Sequence, residues 1–240
     1  MSATNERHAA VTSERDGDLI VIRIDDSKAN ALSHGIISTI EADLHQARTE
    51  AKAVVLVGRE GKLSAGFDLT TMKAGPQQAR DLLLAGAQLG HSLYTCPIPV
   101  VIGCTGHALA MGAILLFCAD VRIGAEGPYK IGMNEVAIGM PVPRFAIELA
   151  RDRLSKRHLT AAVNLAGVFG PDDAVDAGYL DETLPLDQVE AAAIARGKEL
   201  AATLHPAAFR LTRDYLRGAC AERMLAGLEA DVQTFSIVDG

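Results

Sequence analysis

The sequence predicts an α/β core followed by a helical C-terminal region. Three observations carry that prediction. Two short, β-branched apolar runs, AVVLVG (53–58) and PVVIGC (99–104), have the unbroken hydrophobicity of strands buried on both faces. Stretches with apolar residues every three or four positions alternate with them, as amphipathic helices do. After Pro185 the strand pattern stops and the chain reads as helix, an order that argues for a layered core with a helical appendage.

Along the chain, VTSER, the turn Asp16-Gly17-Asp18 and LIVIRID read as a β-hairpin. Ser33 is placed to N-cap a helix running to about Glu50, with Ile36, Ile37, Ile40 and Leu44 on one face. AVVLVG follows as a strand, and Gly58 to Gly66 reads as loop. Pro76 opens a long helix to about Tyr94. PVVIGC is the next buried strand, Gly112 to Ala119 a short, wholly apolar helix, and DVRIGAE (120–126) a further strand. Helical segments resume from about Arg144. Pro171 opens a short helix that Gly178 closes, and the C-terminal helices break at His205-Pro206. The expected division is a core over 1–185 and a helical region over 186–240.

Composition bounds the function. The 240 residues suit one large domain, and 49% hydrophobic with 22% charged residues fits a soluble globular protein. A net charge of -7 supplies no basic field for nucleic acid or an anionic membrane. It does not exclude an anionic small ligand, because a site can be locally positive. Cys96, Cys104, Cys118 and Cys220 have no paired spacing, so neither a disulfide framework nor a metal site reads from them. A reducing cytoplasm is the expected setting. The start, MSATNERHAAV, lacks the apolar core of a signal peptide. No run approaches the roughly 18 apolar residues of a membrane span.

Three tempting motifs fail on spacing. A Walker A loop ending at Gly61-Lys62 needs Gly where Leu56 stands. Ser64 is not in a nucleophile elbow, because Leu63 breaks GxSxG. Gly103, Gly106 and Gly112 lack dinucleotide-binding spacing. Two Gly-centred loops remain, Ser64-Ala65-Gly66-Phe67-Asp68-Leu69 and Gly106 to Gly112. Each follows a buried strand, where α/β sheets bind ligands, and small residues let a ligand approach the backbone. The amides opening the 112–119 helix have no intrahelical partner and face the positive end of its dipole. Two ordinary tight connections would have the same spacing.

SAGFDL and the later PIPVVIGCTGHALAMGAILLFCADVRI resemble the crotonase superfamily, the enoyl-CoA hydratase/isomerase family. KANAL (28–32), MNEVAIGMPVP (133–143) and FGPDDAVDAGYLDETLP (169–185) are similar to further signature segments, so the likeness runs from about residue 15 to the C-terminus. The resemblance implies a crotonase-type spiral of ββα turns whose C-terminal helices serve oligomerisation, usually as a homotrimer or dimer of trimers. It implies an acyl-CoA thioester as ligand, with coenzyme A part of the substrate and no separate cofactor or metal. By the same likeness the Phe67 and Met111 N–H groups form an oxyanion hole. Lys28, Ala29, Ala65, Gly66, Phe67, Asp68, Leu69, Met111 and Gly112 lie in segments that meet substrate. Two aimed amides in a water-poor site suit an enolate oxygen; losing one such donor typically costs about 3–4 kcal/mol.

The acid–base residue separates the family's reactions. Hydratases of the family carry two glutamates, and Ile114 stands at the first position here. Glu135 matches the second, within Gly132-Met133-Asn134-Glu135. An aliphatic residue followed later by Asn-Glu resembles the Δ3,Δ2-enoyl-CoA isomerases. One carboxylate then takes a proton from C2 and returns it to C4, with Asn134 orienting substrate or carboxylate. Burial among Val136, Ile138 and Met140 is expected to raise the Glu135 pKa. Asp68 and His107 read as loop-holding residues. Three readings stay open: isomerisation of a 3-enoyl-CoA, hydration or another crotonase-type reaction using Glu135 alone, and a catalytically silent acyl-CoA binder.

Overall fold

The computed structural model describes residues 7–234. The reading of a polar N-terminal start falls partly on residues 1–6, which lie outside the described residues, as do 235–240. The chain opens with strands β1 (Val11–Asp16) and β2 (Leu19–Ile24), helix α1 (His34–Glu50) and strand β3 (Ala53–Val57). Strand β4 (Gly61–Ser64), helices α2 (Leu69–Lys73) and α3 (Pro76–Tyr94), and strands β5 (Val100–Cys104) and β6 (Gly106–Leu109) follow. Next come helix α4 (Met111–Cys118), strands β7 (Val121–Ala125) and β8 (Ile131–Gly132), a 3-10 turn at Val136–Ile138, and helices α5 (Arg144–Arg153) and α6 (Leu159–Val163). The remainder is strand β9 (Val168–Phe169), helix α7 (Pro171–Ala177), strand β10 (Glu182–Leu184) and helices α8 (Leu186–Thr203), α9 (Pro206–Ala226) and α10 (Leu228–Thr234).

Six strands form one sheet in the order β1-β2-β3-β5-β7-β10, parallel except for the β1–β2 hairpin. Side chains alternate across a strand, and the burial follows that period. Ile20, Ile22, Val54, Leu56, Val100 and Ile102 join the main core shared with α1, α3 and α4. Leu19, Val21, Val55, Val57 and Val101 join a second cluster that Val189, Ala193 and Ala201 of α8 close from the other side. This two-faced burial is why β3 and β5 read as unbroken apolar runs. Each such side chain is worth about 1.5–3 kcal/mol when removed from water.

A second sheet, β4-β6-β8-β9, is short and glycine-rich. Strands β4, β6 and β8 run parallel, so their carboxyl ends share one edge. Ala65 to Asp68, Ala110 to Gly112 and Met133 to Glu135 leave from that edge. The sequence expectation differs here: Gly58 to Gly66 was expected as loop, yet holds β4, and the second Gly-centred loop begins with β6. Both strands are four residues long and include glycine. Their order comes from pairing with each other, which local composition does not carry. Helix α2 is also new, built on Asp68, whose carboxylate accepts from Thr71 N at 2.9 Å.

Helix α9 packs on α5 and α3, and α10 on α3. Arg213 and Arg217 of α9 are buried and share Asp120 at the start of β7. Among the described residues, no helix is long and apolar enough to cross a membrane.

Candidate active site

The first loop is clamped from below. Asn30 is fully buried at φ 51°, and its side-chain amide donates to Ile24 O and Leu63 O. Ser64 Oγ donates to Asn30 O at 2.7 Å and accepts from Gly66 N at 3.1 Å. Ala65 N donates to Ala29 O, Leu32 N to Gly66 O and Asp68 N to Leu32 O. Gly66 takes φ 97°, a conformation a side chain would strain. Asn is one of the few other residues that tolerates positive φ, which is how the KANAL segment turns under the loop. Sequence reasoning missed Asn30 as this clamp.

The second loop is strained by design of its backbone. Ala110 sits at φ 49°, ψ -124°, a region essentially reserved for glycine and costing about 1–3 kcal/mol. That conformation turns the chain directly into α4, all eight residues of which are buried. Ala113 N and Ile114 N both donate to Ala110 O, leaving the Met111 and Gly112 amides without intrahelical acceptors. The two loops touch. A Cβ built on Gly66 would lie 3.4 Å from Met111 N, and one on Gly112 only 2.3 Å from Ser64 O. Gly112 therefore lets α4 start against β4. Among the described residues, neither Phe67 N nor Met111 N has a protein acceptor.

The third element brings the carboxyl group. A cavity of about 270 Å³ is lined by Ala65, Phe67, Ala110, Ile114, Asn134 and Glu135, with Met72, Met140 and Phe145 among its other apolar walls. Glu135 is 4% exposed and is the one ionisable side chain among the lining residues. Burial pushes its carboxyl up to about 7, against a small opposing effect of its own backbone amide. Among the described residues, its Oε2 and the Asn134 Oδ1 are buried without hydrogen-bond partners. The direction of the expected shift and its cause, burial, both hold. Of the three expected neighbours, Ile138 and Met140 line the same cavity as Glu135, whereas Val136 does not and is 44% exposed.

The other expected contact residues divide. Leu69 stands at the rim, exposed but lining the cavity. Lys28 is exposed, and its carbonyl accepts from Arg59 Nε at 2.9 Å. Ala29 acts through its carbonyl on Ala65. Gly66, Asp68, Met111 and Gly112 are not among the residues lining the cavity: Asp68 caps α2, Gly112 packs on β4, and the Met111 amide lies against Gly66. His107 Nδ1 accepts from Lys130 N at 3.0 Å, a loop-holding role outside the cavity.

The arrangement sets an apolar cavity and one buried carboxyl group against the Phe67 loop, with the Met111 amide close to Gly66 of that loop. The enoyl-CoA hydratase/isomerase family model matches residues 14–238. The mouse mitochondrial enoyl-CoA delta isomerase 1 is 28% identical over 96% of this chain and 81% of its own length. An enoyl-CoA hydratase/isomerase family protein from Pseudomonas syringae superposes with TM-score 0.91 at 34% identity, covering 95% of this chain and 98% of its own. An enoyl-CoA hydratase from Mycobacterium ulcerans gives TM-score 0.89 at 35% identity over 94% and 98%.

Proposed function

The chain belongs to the enoyl-CoA hydratase/isomerase family, and from that premise we propose that it moves the double bond of a 3-enoyl-CoA to the 2-position. It is an enzyme of that family, with the crotonase fold, and the family acts on acyl-CoA thioesters. One observation carries the finer reading: Glu135 shares its cavity with Ile114 and no second carboxyl group. A hydrocarbon at that position cannot help hold and activate a water molecule.

In this reading the Phe67 and Met111 amides receive the thioester oxygen. Ionised Glu135 takes a proton from C2, the electrons of that C–H bond form a C1–C2 double bond, and the thioester oxygen holds the charge of the dienolate. The same carboxyl group then gives the proton to C4, the double bond settles between C2 and C3, and the thioester carbonyl re-forms. A pKa near working pH suits a group that must both accept and give. Asn134, beside it in the cavity, orients carboxyl group or substrate. Coenzyme A enters as part of the substrate. The site falls within 1–185, and the described residues from 186 to 234 pack over the core and, in this reading, between subunits of a homotrimer or dimer of trimers. Exposed Leu211, Tyr215 and Leu216 on α9 support such an assembly. Four buried free cysteines support a cytoplasmic setting.

A second reading, hydration by Glu135 alone, has its support in relatives named hydratases. Purified protein given 3-enoyl-CoA and, separately, 2-enoyl-CoA distinguishes the two. Double-bond migration is the expected product. Accumulation of 3-hydroxyacyl-CoA, or tight thioester binding with neither product, would replace isomerisation by hydration or by silent binding.

A further inference from the structure

The cavity at Glu135 has two unlike ends. Ala65, Leu69 and Ile138, all exposed, surround its open end. Ile114, Phe145 and Met72, all buried, form its inner walls. The phosphates of a coenzyme A carrier cannot leave water for an apolar wall without a large desolvation cost, so the carrier stays at the open end. The acyl chain takes the inner end. Among the described residues lining the cavity, Asn134 and Glu135 are the two with polar side chains. Past them the chain meets only apolar surface.

The inner walls differ in stiffness. Phe145 lies in the first turn of α5, which packs on α4 and α9. Ile114 belongs to α4, all of which is buried. Interiors are close-packed, so neither side chain can step aside for a longer chain without moving a helix. Met72 is on α2, a five-residue helix that Asp68 caps and that packs on α3. Its unbranched thioether side chain adapts to the shape it meets. Phe145 is therefore the fixed stop, and Met72 the adjustable one.

Volume turns these walls into a length. A cavity of about 150 Å³ lined by Leu, Ile and Phe takes a six-carbon hydrocarbon. On that scale the cavity here, about 270 Å³, holds on the order of ten carbon atoms. We propose that the site selects acyl chains of medium length, about six to ten carbons counted from the thioester, and that Phe145 and Met72 set the upper limit. This length class rests on the acyl-CoA reading of the site for where the chain begins, and on the isomerase reading only for its kinetic consequence.

The test is a series of 3-enoyl-CoA substrates from about six to about sixteen carbons. Burying each methylene is worth about fourfold, so kcat/KM is expected to climb by that factor per carbon to about ten carbons and then to level off or fall. A climb that continues to sixteen carbons, or a flat series from six, overturns the proposal. Met72→Ala removes three heavy atoms from the wall, and the ratio of kcat/KM for the twelve- to the ten-carbon substrate is expected to rise about tenfold. Phe145→Ala is expected to raise the same ratio; should that variant fail to fold, Met72→Ala reads the limit alone. An unchanged ratio in a folded variant overturns the role of the wall. Isothermal titration calorimetry with saturated acyl-CoA esters reads the same limit without turnover. A break near ten carbons in a protein that does not isomerise supports the length class and removes the isomerase reading. A flat series in an active isomerase removes the length class alone.

Discussion

Leu32 and Phe67 pair through the neighbours of Phe67. Gly66 O accepts from Leu32 N at 2.8 Å, and Asp68 N donates to Leu32 O at 3.0 Å. In such a parallel bridge the central residue's own N–H is turned to the opposite side. The Phe67 amide is therefore kept out of the protein's own hydrogen bonding by the bonds on either side of it, and the cavity lies against Phe67. An amide held open in this way costs no reorganisation when charge develops beside it.

Gly66→Ala tests that arrangement. A Cβ there lies 2.9 Å from the Ala110 Cβ and 3.2 Å from Leu109 O, on a residue at φ 97°. Either the first loop or the second must move, and both carry the proposed donors. The expected result is a fall in kcat of about 10²–10³, the usual effect of losing one oxyanion donor. The far-ultraviolet circular dichroism should stay native. A variant within threefold of wild-type kcat would show that the loop spacing does not matter.

Ala110→Gly relieves the strain at the second loop. The conformation costs about 1–3 kcal/mol for alanine, and glycine returns roughly 0.5–1 kcal/mol of that through its freer unfolded chain. Urea unfolding is expected to show a gain of about 1 kcal/mol, within the range these opposing effects leave. Activity should change little, because Met111 N keeps its direction. A loss of stability would mean that the backbone at Ala110 is relaxed.

Why the sequence shows some of this and not the rest follows from where the information lies. Strands β3 and β5 are legible because burial on both faces writes itself as consecutive apolar residues. Helices α1, α3 and α7 are legible through Ser33, Pro76, and the Pro171 to Gly178 pair, which are local signals. Strands β4, β6, β8 and β9 hold two to four residues each and exist by pairing with one another. Phe67, Met111 and Glu135 are assigned by motif, and their roles are proposals. The clamp at Asn30, the backbone angles of Ala110 and the depth of Glu135 depend on segments far away in the chain.

Glu135→Gln separates function from stability. The carboxyl pKa is raised from 4.5 to about 7 in the folded protein. A raised carboxyl pKa means that folding favours the protonated form. The stability it allows is complete below about 4.5 and is lost as pH rises through 7. The full difference corresponds to about 3 kcal/mol at the linkage value of 1.36 kcal/mol per unit. Glutamine mimics the protonated state at every pH. The variant should equal wild type in stability at pH 4, exceed it by up to about 3 kcal/mol at pH 8, and lose isomerase activity. Wild-type activity itself should rise through about pH 7 as the base ionises. Equal stabilities at pH 8, measured by chemical unfolding, would place Glu135 in contact with solvent.

Asp120→Asn tests what holds α9 to the core. Asp120 pairs with Arg213, and with Arg217 at 2.7 Å, and its Oδ2 accepts from Val100 N at 2.8 Å. The arginine side chains are 4% and 6% exposed, so the carboxylate is their counter-charge away from bulk water. Their other bonds go to neutral carbonyls, Cys96 O for Arg213, and Tyr94 O, Cys118 O and Ala119 O for Arg217. Removing the charge while keeping the shape leaves two buried cations facing each other across a neutral amide. Breaking a buried pair in this way typically costs about 3–5 kcal/mol, because the partner's desolvation goes uncompensated. A lowered urea midpoint of that size is expected, with part of the loss recovered in Asp120→Asn combined with Arg217→Met. If the single substitution costs under about 1 kcal/mol, the cluster behaves as a solvated surface pair, and α9 is held by its apolar contacts with α5 instead.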